Sequence, residues 1–133
     1  MDAGIMIADL IGKPFSDGGR GPDTFDCWGL CMTVFKRFGY RLPEYPVGAY
    51  EPEQINSVIM SDRKIWQELE KPQKPCLVLM RLGVIDLINH CGVYTGDGFV
   101  LHTRKKTGSI LERINSPFLK IMGYVLPPEE FRL

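Results

Sequence analysis

The residues of this chain that could do chemistry are one cysteine and two histidines, and their spacing says how they could meet. Cys27 follows Asp26 in the stretch DTFDCWGLCMTVFKRFG, residues 23 to 39. From that cysteine the apolar positions are 27, 30, 31, 34, 35 and 38, the one-face pattern of an amphipathic helix. Asp26 suits the N-cap, Lys36 and Arg37 suit the last turn, and Gly39 suits the position just past the helix. Cys27 is then expected in the first turn, beside unpaired N–H groups and the positive end of the helix dipole. Both favour the thiolate, which is the nucleophilic form. The alternative for such a position is a small, inert core cysteine.

The two histidines, His90 and His102, are the only ones in the chain, and both fall in the apparent hairpin INHCGVYTGDGFVLHT. Side chains alternate along a strand, so His90, Gly92 and Tyr94 share one face. If Gly96, Asp97 and Gly98 form a three-residue loop, His102 lies opposite Gly92 and diagonal to His90 on that face. A two-residue Asp97-Gly98 turn would put the histidines on opposite faces. In the first register Gly92 removes bulk where the helix end must approach. Cys27, His90 and His102 can then act as nucleophile, base and orienter, with the oxyanion held by the backbone N–H of Cys27. Asp26, Trp28 and Arg20 flank the nucleophile as candidates for positioning the oxyanion or substrate. Arg81 and Arg104 are further guanidinium candidates for a substrate carboxylate.

Zinc is the rival chemistry, because Cys27, Cys31, His90 and Cys91 make a plausible ligand list. His90 and Cys91 are neighbours on a strand and point to opposite faces, so the expectation is no metal and no other cofactor. Cys31, one helical turn beyond Cys27, reads as core. Cys76 and Cys91 are given no role, with Cys91 expected to face away from the site.

The elements that must hold these residues follow from the same patterns. Residues 2–11 suggest a short helix, GKPFSDGGRGPDT a loop, 27–38 the main helix, and 52–62 a weaker second helix. Short β-rich runs follow at 76–80, 89–95, 99–103, 109–114 and 119–126. Helices first and strands afterwards predict an α+β fold, with the cysteine-bearing helix laid on an antiparallel sheet, in one domain covering 1–133.

Sixteen basic and sixteen acidic residues cancel, so no overall field draws the chain to nucleic acid or anionic lipid. The N-terminal apolar stretch has no basic segment before it and is interrupted by Asp9. No signal peptide and no membrane span are therefore expected, and a cytoplasmic site of synthesis follows. In that compartment four cysteines do not suggest a disulfide framework.

Two stretches resemble the NlpC-type cell-wall peptidases, a papain-like family of cysteine peptidases. IGKPF…GG…GPDTFDCWGLC resembles the family's G-x-P-Y…G-G…D-C-S-G-L opening, and NHCGVYTGDGFVLHT its H-V-G-I-Y-x-G-x-G…H hairpin. The resemblance implies a helix on an antiparallel sheet, with Cys27, His90 and His102 as nucleophile, base and third polar residue. It also implies a peptidoglycan stem peptide as substrate, commonly cut between D-γ-glutamyl and a diamino acid. The D-C-W-G-L variant is most similar to the phage and prophage tail-associated branch, which implies phage tail proteins as partners and delivery to the cell wall. Three positions depart from the family pattern: Phe15 replaces a tyrosine, Trp28 a serine, and Cys76 an acidic residue. The alternatives that the same fold implies are a tail assembly protein with little activity and an amidase or acyltransferase acting on another amide.

Overall fold

The computed structural model describes residues 7–45, 56, 57, 61, 65–84 and 86–133. Its main helix, α1, spans Cys27–Arg37. Asp26 is extended, and its carboxylate accepts a bond of 2.7 Å from the Gly29 N–H, one of the donors an α-helix leaves unpaired at its start. At the other end Gly39 adopts φ 93°, a left-handed conformation that costs a glycine little, and Tyr40 N–H bonds back to the Phe35 carbonyl. Both ends of this helix lie where the sequence pattern sets them.

Six strands form one antiparallel sheet: β1 (Gln67–Leu69), β2 (Cys76–Arg81), β3 (His90–Gly96), β4 (Phe99–Arg104), β5 (Gly108–Arg113) and β6 (Lys120–Leu126). Their spatial order is β1-β6-β2-β3-β4-β5. The five expected strands are present within a residue or so, and the α+β arrangement of one helix on an antiparallel sheet holds. Edge strand β1 was not foreseen, because a three-residue segment (QEL) shows no alternation. The helix expected at 2–11 is represented in the described residues by a single 3₁₀ turn, Ala8–Leu10. Of the helix expected within 52–62, Asn56, Ser57 and Ser61 are helical and the other positions lie outside the described residues. Among the described residues no helix is long and apolar enough to cross a membrane.

Alternation along the strands sorts the core into two clusters. Leu30, Cys31, Val34 and Phe35 of α1 pack on Leu77, Leu79, Cys91, Val93 and Leu101. Each large apolar side chain so buried contributes about 1.5–3 kcal/mol. Val78, Met80 and Val100 lie on the other face, under Leu119. Gly29 permits the close fit at the front of α1: a Cβ there would lie 2.0 Å from the Gly19 carbonyl oxygen, inside the loop that precedes the helix.

The β3–β4 hairpin resolves the register question in an unexpected way. The turn is the two-residue one, Asp97 at φ 55° and Gly98 at φ 84°, closing between Gly96 and Phe99. A bulge between Tyr94 and Gly96 adds one residue to β3, after which Tyr94 pairs with Val100 and Val93 with Leu101. Turn and bulge together reproduce the register of a three-residue loop, and both histidines fall on one face. Gly92 is required inside the hairpin rather than beneath the helix end. A Cβ there would lie 2.7 Å from the Leu101 carbonyl oxygen and 2.9 Å from His102 Cβ.

Candidate active site

Three elements deliver the site: the start of α1, the start of β3 and the middle of β4. Cys27, at the tip of α1, lies in side-chain contact with His90, the first residue of β3. His90 Nε2 lies 2.9 Å from His102 Nδ1, and the two rings meet edge to face with centroids 5.1 Å apart. His102 is fully buried, and its Nε2 lies 2.9 Å from Glu112 Oε1 on β5. The second oxygen of Glu112 accepts 2.8 Å from the Ser116 hydroxyl. Cys27, His90, His102 and Glu112 thus form one unbroken line of polar contacts.

The carboxylate end fixes where the protons are. Glu112 can only accept, so His102 donates through Nε2 and keeps Nδ1 as an acceptor. His90 must then donate through Nε2, which leaves its Nδ1 lone pair for the thiol. Neutral His90 in this tautomer is ready to accept a proton from Cys27, and the imidazolium it becomes still donates to His102.

Burial pushes His90 below the ordinary imidazole value, against the opposing pull of the Cys27 thiol. Burial also lowers His102, with Glu112 pulling the other way. Burial tends to raise the Glu112 carboxyl, but the bonds from Ser116 and His102 outweigh it and hold the group below its usual range. Cys27 does not match the expectation of a thiol pre-ionised by the helix start. Its hydrogen bond with Cys91 and its burial push the thiol well above its ordinary value, and His90 only partly compensates. The resting pair is therefore thiol and neutral imidazole, and the thiolate arises by proton transfer to His90.

Cys91 corrects a second expectation. It was expected to face away from the site, yet it lies on the α1 side of β3 and touches both Cys27 and Cys31. The alternation argument was sound for the strand. What it could not supply was the position of the helix tip, which is met by Cys91 from one face and by His90 from the other. Cys76 is fully buried and its thiol is pushed up to about 11, mainly by burial. Among the described residues no group of three or more histidine, cysteine or carboxylate side chains is arranged to hold a metal ion.

The polar line opens into a cleft of about 210 Å³ bordered by Phe15, Leu82, Asn89, Thr103, Arg104 and Lys105 as well as Cys27 and His90. Asn89 braces one wall, bonding the Leu82 N–H at 2.8 Å and its carbonyl at 2.9 Å. Phe15 stands in this wall without a hydroxyl to offer.

Three residues considered for positioning are used elsewhere. Asp26 is buried, bonded to the helix start and to Arg20 at 2.7 Å. Arg20 spends the rest of its guanidinium on Glu44 at 2.6 Å and on the Gly19 and Tyr45 carbonyls, each at 3.1 Å. It borders two larger clefts, of about 600 and 520 Å³, which contain neither Cys27 nor His90. Trp28 donates to the Pro43 carbonyl at 2.8 Å and packs on Tyr45, ring centroids 4.9 Å apart, away from the Cys27 cleft. Arg81 pairs with Asp86, which leaves Arg104 as the one considered arginine that borders the cleft.

Glu112 is the site residue that sequence reasoning missed. The signal was present in SILERI, since residues 110, 112 and 114 alternate onto one face. The pairing of His102 with Ile110 makes that the histidine face.

Comparison with known proteins gives the family. The family model described as "NlpC/P60 family" matches residues 12–122. The chain belongs to the NlpC/P60 family. It is similar to a protein of Listeria innocua named "Probable endopeptidase p60", 33% identical over 94 residues, covering 71% of this chain and 17% of that protein. A Mycobacterium bovis protein, "Probable endopeptidase Mb2213c", is 31% identical over 93 residues, covering 70% of this chain and 20% of that one. The chain thus spans about a fifth or less of the length of these relatives. Among solved structures, NlpC2 from Trichomonas vaginalis superposes with a TM-score of 0.68 at 18% identity, covering 93% of this chain and 45% of that one. The NlpC/p60 domain of the peptidoglycan hydrolase SagA gives 0.57 at 16% identity, covering 93% and 95%. These two share the fold.

Proposed function

We propose that this protein is a cysteine peptidase of the cell-wall type, hydrolysing amide bonds in peptidoglycan stem peptides through Cys27, His90 and His102, with Glu112 anchoring the line. The observation that carries the reading is the continuous polar chain from the thiol to the carboxylate, whose proton placement leaves one ring nitrogen free to accept the thiol proton. Family membership, and the naming of relatives as endopeptidases and of one as a peptidoglycan hydrolase, support the reaction class and substrate.

In this mechanism Cys27 passes its proton to His90 Nδ1, and the sulfur attacks the scissile carbonyl. The developing oxyanion is met by the Cys27 N–H at the helix start. His90 then gives its proton to the leaving amine, and water hydrolyses the thioester with His90 again as base. The bond between D-γ-glutamyl and a diamino acid is the expected cut, on the strength of the motif resemblance. The D-C-W-G-L variant supports a place in a phage or prophage tail, with delivery to the cell wall by tail proteins.

The test is digestion of purified muropeptides by the wild type and by Cys27→Ala, with products identified by mass spectrometry. The expected result is a new free amine on the diamino acid that Cys27→Ala fails to produce, with a loss on the order of 10⁶-fold in kcat. If the wild type leaves muropeptides intact but releases product from other amides, the reading moves to an amidase or acyltransferase. If it cleaves no amide, the reading becomes a tail assembly protein.

A further inference from the structure

The hydrolysis described above leaves three buried thiols unused, and one of them, Cys91, meets the nucleophile. Cys91 lies against Cys27 in the buried cluster beneath α1, and its Sγ lies 3.7 Å from Cys31 Sγ. Cys27 and Cys31, one turn apart on α1, both face it, so three free thiols converge inside the apolar core. Their access differs. Cys27 borders the open cleft, whereas Cys31 and Cys91 are 0% and 1% exposed. Position 91 pairs with Leu79 in the sheet and shares an apolar cluster with Leu30, Val34 and Phe35. A valine would fill such a site without a reactive group.

We propose that Cys91 is a resolving thiol for Cys27, making the pair a peroxide-sensitive modification site that closes to a reversible Cys27–Cys91 disulfide. Hydrogen peroxide entering the cleft oxidises the thiolate that Cys27 forms by passing its proton to His90; Cys27 becomes a sulfenic acid, and the peroxide takes up that proton and is reduced to water. The Cys91 sulfur attacks the sulfenic sulfur, the S–O bond breaks, a second water leaves, and the disulfide forms. Two thiols supply the two electrons that one peroxide takes up. The bridge blocks the nucleophile and also keeps it from the irreversible sulfinic acid. A dithiol reductant restores both thiols. Cys31 lies against Cys91 but has no path to the oxidant of its own.

The experiment exposes the wild type and Cys91→Val to hydrogen peroxide, alkylates the remaining thiols and maps the cysteine peptides by mass spectrometry, with and without dithiothreitol. In the wild type the expected product is the Cys27–Cys91 cross-linked pair, lighter by two hydrogens, with full recovery of Cys27 alkylation after reduction. In Cys91→Val, Cys27 should gain two oxygens and stay unreactive after reduction. The proposal is overturned if wild-type Cys27 proceeds to the sulfinic acid without a cross-link, or if the cross-link maps to Cys31 and Cys91. The cross-link is read on the wild type, so a poorly folding variant does not decide the outcome. No substrate is used either, so the result stands apart from that of the muropeptide digestion.

Discussion

The two faces of strand β3 meet the same cysteine with opposite chemistry. On one face His90 continues through His102 to Glu112, so a fixed negative charge at the far end sets the proton on every ring nitrogen. On the other face Cys91 and Cys31 offer thiols that burial and the nearby Asp26 carboxylate keep protonated, and the contact with Cys91 is the largest influence holding the Cys27 proton in place. One face makes the thiol a donor to a ready base, and the other makes it a reluctant one. Reactivity at Cys27 is therefore a balance between two neighbours in sequence that point opposite ways.

The largest expected disturbance to that balance comes from the carboxylate. Glu112→Gln replaces a pure acceptor with a group that both donates and accepts, so the direction of the proton line is no longer fixed. The expected loss is on the order of 10²- to 10⁴-fold in kcat with KM little changed, as for the orienting acid of a triad. Steady-state kinetics on a muropeptide measure it, and a loss confined to KM would remove Glu112 from the line.

A moderate effect is expected from acid. His90 and His102 are both held below the ordinary imidazole value, about 6.5 when unfolded. Below that value the unfolded chain binds more protons than the folded one. The stability owed to these buried neutral rings is therefore full above about pH 6.5 and is lost as pH falls through the folded values. Thermal unfolding followed from pH 8 to pH 4 should show this decline, and His102→Gln should flatten part of it. A melting temperature equally pH-dependent in the variant would assign the decline to other groups.

The smallest expected effect lies on the thiol face. Cys91→Val removes the leading cause that raises Cys27, so iodoacetamide labelling of Cys27 should begin at lower pH than in the wild type. Cys76, at about 11 and remote from the change, serves as the internal reference. Unchanged labelling would mean that burial alone sets the Cys27 thiol.

How far the sequence discloses this site depends on the range of the interactions involved. The helix around Cys27 is written in local signals (N-cap, apolar stripe and terminal glycine), and its ends are as read. The shared face of the histidines is also legible, although by a route that the turn residues alone do not disclose: Asp97 and Gly98 make the short turn, and the extra residue is absorbed further back in β3. Glu112 escapes because its role depends on the β4–β5 pairing, ten residues from its partner. Cys91 turns toward the site, and Trp28 and Arg20 turn away from the Cys27 cleft, for one reason. Where a helix tip lands on a sheet depends on loops such as the Arg20–Glu44 clasp, and no local pattern records such a contact.

The bulge in β3 makes the histidine pair a matter of parity. What keeps His90 beside His102 is whether the residues between them count odd or even across the pairing, and the sequence of the tip does not enter. Lengthening the tip by two residues leaves the pair on one face, while adding or removing one turns the second ring to the far side of the sheet. Variation in this hairpin is thus quantised: changes of length compatible with the site come in steps of two, or in single steps matched by a compensating bulge.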